Sequence, residues 1–331
     1  MTRLLIYEPS YRRVERELAA HAADLEVVVM NRSGVFTLAG APVAAEDARL
    51  DIAWASGDLY LAPAARGFMG AVLGSPDFKW VQSAAAGFDN PVFVRVVAKG
   101  ARLTISHGQA VGMADYVLAG VLDAFQRGPE RRAAQAAAEW REFPFREILD
   151  STWLIIGFGA IGQGVAVRAR AFGAHIIGVR RIQAADPLAD EMAPREALGE
   201  LLPRADVVVL CAPLSPATRH MADAAFFAAM KAGSVLVNVG RGALVDEPAL
   251  IEALGRGVPA HAVLDVFETE PLPAASLLWG HPRVSVTAHS SGVTGAQDER
   301  NRLLFLDNLA RYLAGRPLLN EADSRDVLGE G

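Results

Sequence analysis

The chain has 331 residues, 52% of them hydrophobic and 21% charged, with a net charge of −6. That is the balance of an ordinary globular protein long enough for two cores, and without a basic block it argues against a nucleic-acid partner. No apolar run approaches a bilayer span, the N-terminal one is too short for a secretory signal, and the single cysteine, Cys211, rules out an internal disulfide, so a cytoplasmic, reducing location is expected.

Residues 4–6 read as a short apolar strand, 11–23 as a helix charged on one face, 25–30 and 52–54 as strands, and 67–73 as a helix. The strand at 79–82 feeds Ser83-Ala84-Ala85-Ala86-Gly87-Phe88-Asp89-Asn90, and 102–106 closes this half. Strands alternating with helices at this spacing predict a parallel sheet with crossovers. A long helix is expected over 112–127, and 129–140 reads as helical too, because alanine and arginine are good helix formers.

The run Trp153-Leu154-Ile155-Ile156 then leads into Gly157-Phe158-Gly159-Ala160-Ile161-Gly162, followed by a helical pattern at 164–172 and a strand at 174–179. This is the strand–turn–helix–strand context of a dinucleotide fingerprint. Gly157 permits the tight turn, Gly159 lets backbone approach a pyrophosphate, and Gly162 lets helix and strand pack closely. The pyrophosphate would sit on the free N–H groups where the helix begins, at Ala160 and Ile161. Strands follow at 205–211, 234–239, 261–266 and 284–287, with helices at 223–230 and 247–254, so this second sheet spans about 150–288. A last helix at 297–313 has no strand beyond it and must pack on something already built; the tail, 315–331, has weak periodicity.

In open α/β sheets ligands bind beyond the carboxyl ends of the strands. Those positions here carry Arg180 and Arg181; Cys211, Ala212 and Pro213, with Thr218 nearby; Val239, Gly240 and Arg241; Asp265 and Glu270; and His289 with Ser290 and Ser291. Arg180 and Arg181 stand where an acid would bind the ribose 2′-hydroxyl of NAD, and a guanidinium suits a 2′-phosphate instead. NADP(H) is therefore favoured and NAD(H) left open, the bland alternative being two solvated arginines. Arg241, between two glycines, can hold a carboxylate in two-pronged fashion. Of seven histidines, His289 ends a strand on the ligand side with Glu270 in the adjacent loop, and an imidazole paired with a carboxylate can serve as an acid near neutrality. Its alternative is a structural role. Cys211, inside an apolar run, reads as a small buried residue. Leu59, Tyr60 and Trp279 are candidates for a pocket wall or for plain packing, and no metal site is expected.

Gly157 to Gly162, then Val239-Gly240-Arg241-Gly242-Ala243-Leu244-Val245-Asp246, then Asp265-Val266-Phe267-Glu268-Thr269-Glu270-Pro271-Leu272-Pro273, then Thr287-Ala288-His289-Ser290-Ser291-Gly292 together resemble the D-isomer-specific 2-hydroxyacid dehydrogenases, and within them the glyoxylate/hydroxypyruvate reductases. The stretch from Val81 to Asp89 resembles the family's substrate loop. The resemblance covers nearly the whole chain. It implies an α/β protein of two Rossmann-like domains with parallel sheets, the cofactor domain (109–289) inserted into a flavodoxin-like substrate domain (1–108 and 290–331). The last helix would then return to the first domain, with hinges near 107–109 and 289–292 and closure of the cleft between domains.

The resemblance also implies roles. Arg241 would bind the substrate carboxylate and carbonyl, His289 would donate a proton to the carbonyl oxygen, and Glu270 would hold His289 protonated. The backbone N–H groups of Ala86 and Gly87 would bind the carboxylate, and Asp265 the nicotinamide carboxamide. Gly157, Gly159, Ala160, Ile161, Gly162, Arg180, Arg181, Ala212, Pro213, Thr218, Val239, Gly240, Arg241, Asp265, His289 and Ser291 would line the cofactor. A homodimer is implied. Two positions depart from the pattern: Ala288 replaces a frequent proline, and Asp115 matches a usual glutamate. Formate, phosphite and phosphoglycerate dehydrogenases share much of it, and a non-enzymatic nucleotide-sensing protein on the same fold remains an alternative reading.

Overall fold

The computed structural model describes every residue except Leu61, Asp89, Ile182, Gln183, Glu330 and Gly331; Asp89, the end of the expected substrate loop, thus lies outside the described residues. The chain divides into two compact units, Met1–Gln109 with Thr294–Gly331, and Ala110–Val293.

The first unit holds β1 (Thr2–Tyr7), β2 (Leu25–Met30), β3 (Phe36–Leu38), β4 (Ala41–Val43), β5 (Ile52–Ala55), β6 (Trp80–Ser83) and β7 (Arg102–Thr104). They form one sheet in the order β4-β3-β2-β1-β5-β6-β7. Leu4, Leu5 and Ile6 are all fully buried, as a central parallel strand covered on both faces requires. The parallel expectation needs one correction: β3 and β4 form an antiparallel hairpin at the edge. Neither Phe36–Leu38 nor Ala41–Val43 carries a continuous apolar run to mark it, and Pro42 within β4 suits only an edge. A helix at Pro91–Ala98 is also additional. Its signal was local, with Asn90 Oδ1 capping the Val92 amide and proline in the first turn.

The late helix Gln297–Leu313 belongs to this unit. Its Phe305 lies flat on Trp54 with ring centroids 4.3 Å apart, and Leu309 joins Leu4 and Ile6 in the same core. Asn308, fully buried, donates to Gln82 Oε1 at 2.8 Å and to Leu319 O at 3.0 Å, so the helix is keyed to β6 as well as packed.

The second unit holds β8 (Thr152–Ile156), β9 (His175–Val179), β10 (Glu191–Ala193), β11 (Val207–Leu210), β12 (Val235–Asn238), β13 (His261–Leu264) and β14 (Val284–Val286). All are parallel, in the order β10-β9-β8-β11-β12-β13-β14. That is the doubly wound dinucleotide-binding order, and it reverses between β8 and β11, the point at which such sheets bind ligands. The helix expected over 129–140 stops short: the observed helix is Gly128–Ala136, Ala138 takes a left-handed backbone (φ 53°), and Trp140 is fully exposed. Only Gly128 and Ala134 of that helix are buried, so propensity has little packing to support it. The stretch that follows is held instead by guanidinium–ring contacts, Arg141 over Phe143 at 4.4 Å and Arg131 over Phe145 at 5.1 Å. No helix among the described residues is long and apolar enough to cross a membrane.

Asp206 pins the lower end of this sheet. Its carboxylate accepts from Lys231 Nζ at 2.7 Å, Arg146 Nη2 at 2.9 Å and the Thr152 amide at 2.9 Å. Burial alone would raise its pKa, but these partners outweigh burial and hold it below the usual 3.8. A depressed carboxylate adds stability above its unfolded value and loses it as pH falls through the folded one. Asp206→Asn is therefore expected to cost roughly 1–3 kcal/mol near neutral pH, with the gap to wild type closing below about pH 4. Thermal melts from pH 3 to 8 read this directly, and a pH-independent difference would remove the charge from the explanation.

Candidate active site

The carboxyl ends of β8, β9, β11, β12, β13 and β14 lie on one edge of the second unit's sheet, and every expected cofactor and acid–base residue follows one of them. Gly157 ends β8 at φ 103°, and a Cβ there would stand 2.4 Å from the Ala212 nitrogen. Its turn and its close approach to the chain leaving β11 both demand glycine. Gly162 packs against the same turn, its Cβ position 2.4 Å from Gly157 O, whereas around Gly159 nothing lies within 4 Å. The helix Ala160–Ala171 starts at Gly159 with no side-chain cap. Its first amides and the positive end of its dipole therefore face open space, which suits a pyrophosphate.

Around this turn, Ala212 is buried and Thr218 Oγ1 donates to Pro213 O at 2.8 Å, closing its own loop. Cys211 Sγ lies 3.0 Å from Gly157 O, and burial pushes its thiol up to about 12, so it is no nucleophile. Arg180 is not a solvated surface arginine. It donates to Ala184 O at 2.7 Å and pairs with Asp186 at 3.4 Å, and Asp186 also accepts from Gln163 at 2.9 Å. Arg181 is exposed.

Arg241 follows β12 with its Nη1 on Gly240 O at 2.8 Å. Val239 is buried, and Gly240 abuts Ala212 O. Asn238, 1% exposed, accepts from the Gly240 amide at 3.1 Å and donates to Arg241 O at 3.0 Å, bracing this turn from both sides. Asn238 falls at one of the strand ends on the ligand side, but nothing in the sequence marks its bracing role.

His289 and Glu270 meet, Nδ1 to Oε2, at 2.7 Å, and Glu270 Oε1 accepts the Phe267 amide at 3.0 Å. An ionised carboxylate only accepts, so Nδ1 carries the hydrogen and Nε2 is the atom left for exchange. The imidazole is half exposed on a left-handed backbone, φ 49°. Other histidines are worse placed. Burial pushes His107 and His261 down towards the neutral form, and His175 starts β9 at the opposite edge of the sheet. His220 lies 3.2 Å from Glu268 but is bound up in the loop behind Arg241, its amide on Ala243 O.

Asp265, 1% exposed, accepts from Thr287 Oγ1 at 2.6 Å and from the Ser290 and Ser291 amides at 2.8 and 3.0 Å. Burial raises its pKa, but hydrogen bonds from the Ser291 side chain, the Thr287 hydroxyl and the Ser290 and Ser291 amides outweigh it and keep the group below the usual range. Ser291 is itself buried against it. Asp115 pairs with Arg168 at 2.6 Å, a structural role.

In the first unit, the Ala86 and Gly87 amides meet no acceptor among the described residues, while Ala85 on the same loop is tied by its amide to Ser83 Oγ and by its carbonyl to the Ser106 amide. Tyr60 bonds Ser83 Oγ at 2.7 Å. Of the two readings of Leu59, packing holds: it is 2% exposed, among apolar side chains such as Phe68. Trp279 is half exposed with its indole N–H on Pro273 O.

Comparison with known proteins adds three findings. The family described as D-isomer specific 2-hydroxyacid dehydrogenase, NAD binding domain, matches residues 118–291. The (S)-sulfolactate dehydrogenase of Chromohalobacter salexigens is 36% identical over 247 residues, 73% of this chain and 79% of that protein. Two solved structures superpose along nearly the full length. A D-isomer specific 2-hydroxyacid dehydrogenase from Xanthobacter autotrophicus Py2 in complex with NADPH and MES has a TM-score of 0.80 at 28% identity, covering 98% of this chain and 99% of that one. An NADPH-dependent glyoxylate/hydroxypyruvate reductase from Sinorhizobium meliloti in complex with NADP and sulfate has 0.78 at 26%, covering 99% and 100%.

Proposed function

The chain belongs to the D-isomer-specific 2-hydroxyacid dehydrogenases, and from that membership we propose that it reduces a small 2-oxo acid, glyoxylate or hydroxypyruvate, to the D-2-hydroxy acid with NADPH. As a family member it is a nicotinamide-dependent oxidoreductase of 2-hydroxy acids. The observation that carries the finer reading is the His289–Glu270 pair, 2.7 Å apart, on the sheet edge that also bears Arg241 and the uncapped helix at Gly159.

The bound nicotinamide supplies the hydride. Arg241 binds the carboxylate and draws charge from the carbonyl oxygen, and His289 Nε2 gives that oxygen its proton. Glu270 keeps the opposite ring nitrogen protonated and the ring oriented. The Ala86 and Gly87 amides, which meet no acceptor among the described residues, suit a carboxylate, and Asp265 would face the nicotinamide carboxamide. Ala160 and Ile161, with Gly162, would take the pyrophosphate. A homodimer in the cytoplasm completes this reading, and light scattering on the purified chain tests the dimer.

Steady-state oxidation of NADPH and NADH with glyoxylate, hydroxypyruvate and 3-sulfopyruvate is the primary test. The last is included because of the sulfolactate relative. Turnover of glyoxylate or hydroxypyruvate with an NADPH preference is expected. Confinement to the sulfonate would replace the substrate, and no turnover of any 2-oxo acid would favour a nucleotide-sensing protein. Changing Arg180 and Arg181 together to glutamine should weaken NADPH by about tenfold or more while NADH changes little. Equal losses for both cofactors would show that neither arginine reads the 2′-phosphate.

A further inference from the structure

His289 holds a left-handed backbone conformation, φ 49°, that residues with a Cβ rarely adopt and that persists only when the surroundings over-determine it. Those surroundings converge on one residue, Asp265. The His289 amide donates to Asp265 O at 2.8 Å, and the next two amides, Ser290 and Ser291, donate to the two Asp265 carboxylate oxygens. Thr287, on the other side of His289, donates its hydroxyl to Asp265 Oδ1 at 2.6 Å. Behind Thr287 stands Tyr116, from the helix Ala110–Phe125, with its hydroxyl 2.8 Å from Thr287 Oγ1.

The direction of each bond follows from proton counting. Asp265 is ionised and only accepts, so the single hydroxyl proton of Thr287 goes to it. Thr287 Oγ1 can then only accept from Tyr116, which must be the donor. Burial pushes the Tyr116 hydroxyl up to about 12, offset in part by Thr287, so the donor keeps its proton throughout the working range. A chain of bonds polarised one way is stronger than its separate members.

We propose that Tyr116 is a positioning residue for His289: its hydroxyl, through Thr287, fixes the Asp265 carboxylate on the amides that follow His289 and so holds the imidazole against Glu270. The assignment rests on the reading of His289 as the proton donor. Tyr116 hydrogen-bonds neither the ring nor Glu270. Its effect passes through the backbone, which sets how the imidazole meets Glu270.

The test uses the full chain with NADPH and whichever 2-oxo acid it turns over best. Tyr116→Phe removes one oxygen and should lower kcat about five- to tenfold, with both KM values within about twofold. Thr287→Ser, which keeps the hydroxyl, should stay near wild type; Thr287→Val should lose more than Tyr116→Phe. The double variant should be no worse than Thr287→Val, because both act through one chain. Additive losses, or a rise in KM in place of the fall in kcat, would overturn the proposal while leaving the enzyme assignment intact. Full turnover by His289→Ala would instead remove the proton-donor reading, and the proposal with it. If Tyr116→Phe melts early, the Thr287 pair alone decides: equal kcat for its serine and valine variants overturns the relay.

Discussion

His289→Ala should lower kcat about 10²–10⁴-fold while NADPH still binds. The size follows from the arrangement. With Nδ1 committed to Glu270 at 2.7 Å, Nε2 is the one atom of the pair that can deliver a proton to a carbonyl oxygen. Glu270 cannot substitute, since its other oxygen is held by the Phe267 amide. Cofactor binding should survive because the fingerprint turn and the helix from Gly159 lie on different strands, beyond β8 rather than β14. Single-turnover absorbance at 340 nm, paired with a fluorescence titration of NADPH, separates the two effects. Turnover at the wild-type rate would sink the acid–base assignment, whereas a lost cofactor affinity would mean the imidazole holds the nicotinamide rather than the proton.

The second large effect is expected at a residue that contacts no substrate. A Cβ on Gly242 would stand 1.8 Å from the Phe267 carbonyl carbon and 2.4 Å from the Glu268 nitrogen, both backbone atoms that cannot swing away. Gly242 follows Arg241, and the Phe267 amide holds Glu270. The two loops are also cross-linked nearby, the Glu268 amide on Glu247 Oε1 at 2.7 Å and the Glu247 amide on Glu268 Oε1 at 3.3 Å. Gly242→Ala must therefore push the arginine loop and the glutamate loop apart. A displacement near 1 Å at a reacting centre costs about 10²-fold, so kcat/KM should fall at least that far while circular dichroism keeps the α/β signature. An active Gly242→Ala enzyme would show that the contact yields and that the loops are set independently.

Much of this was legible in the linear chain. The glycine turn announced itself because each of its glycines answers a steric demand within one strand–turn–helix unit, so the signal is local. His289, Glu270 and Arg241 were readable for a related reason: strand ends recur regularly, and polar residues just past apolar strands are few. Other parts escaped. The hairpin of β3 and β4 has no continuous apolar run to mark it, and the helix Pro91–Ala98 showed only a short capping signal. The helix expected over 129–140 failed because propensity predicts helix wherever alanine and arginine gather, while only packing decides where it stops, and Gly128–Ala136 buries almost nothing.

Motif order therefore carried the fold class and the family, and it named Arg241, Glu270 and His289 as candidates, since these signals depend on patterns within a few residues of each other or on strand ends in sequence. Only the tertiary structure decided how those residues are held. It showed Arg180 drawn onto Asp186, Leu59 withdrawn into a core, Asn238 bracing Arg241, and Thr287 and Tyr116 standing behind the His289 loop. Tyr116 and Thr287 are 171 positions apart. No spacing rule reaches that far, because a hydrogen bond between distant segments exists only after the sheet and its helices have brought them within three ångströms, and that approach is fixed by the packing of the whole unit.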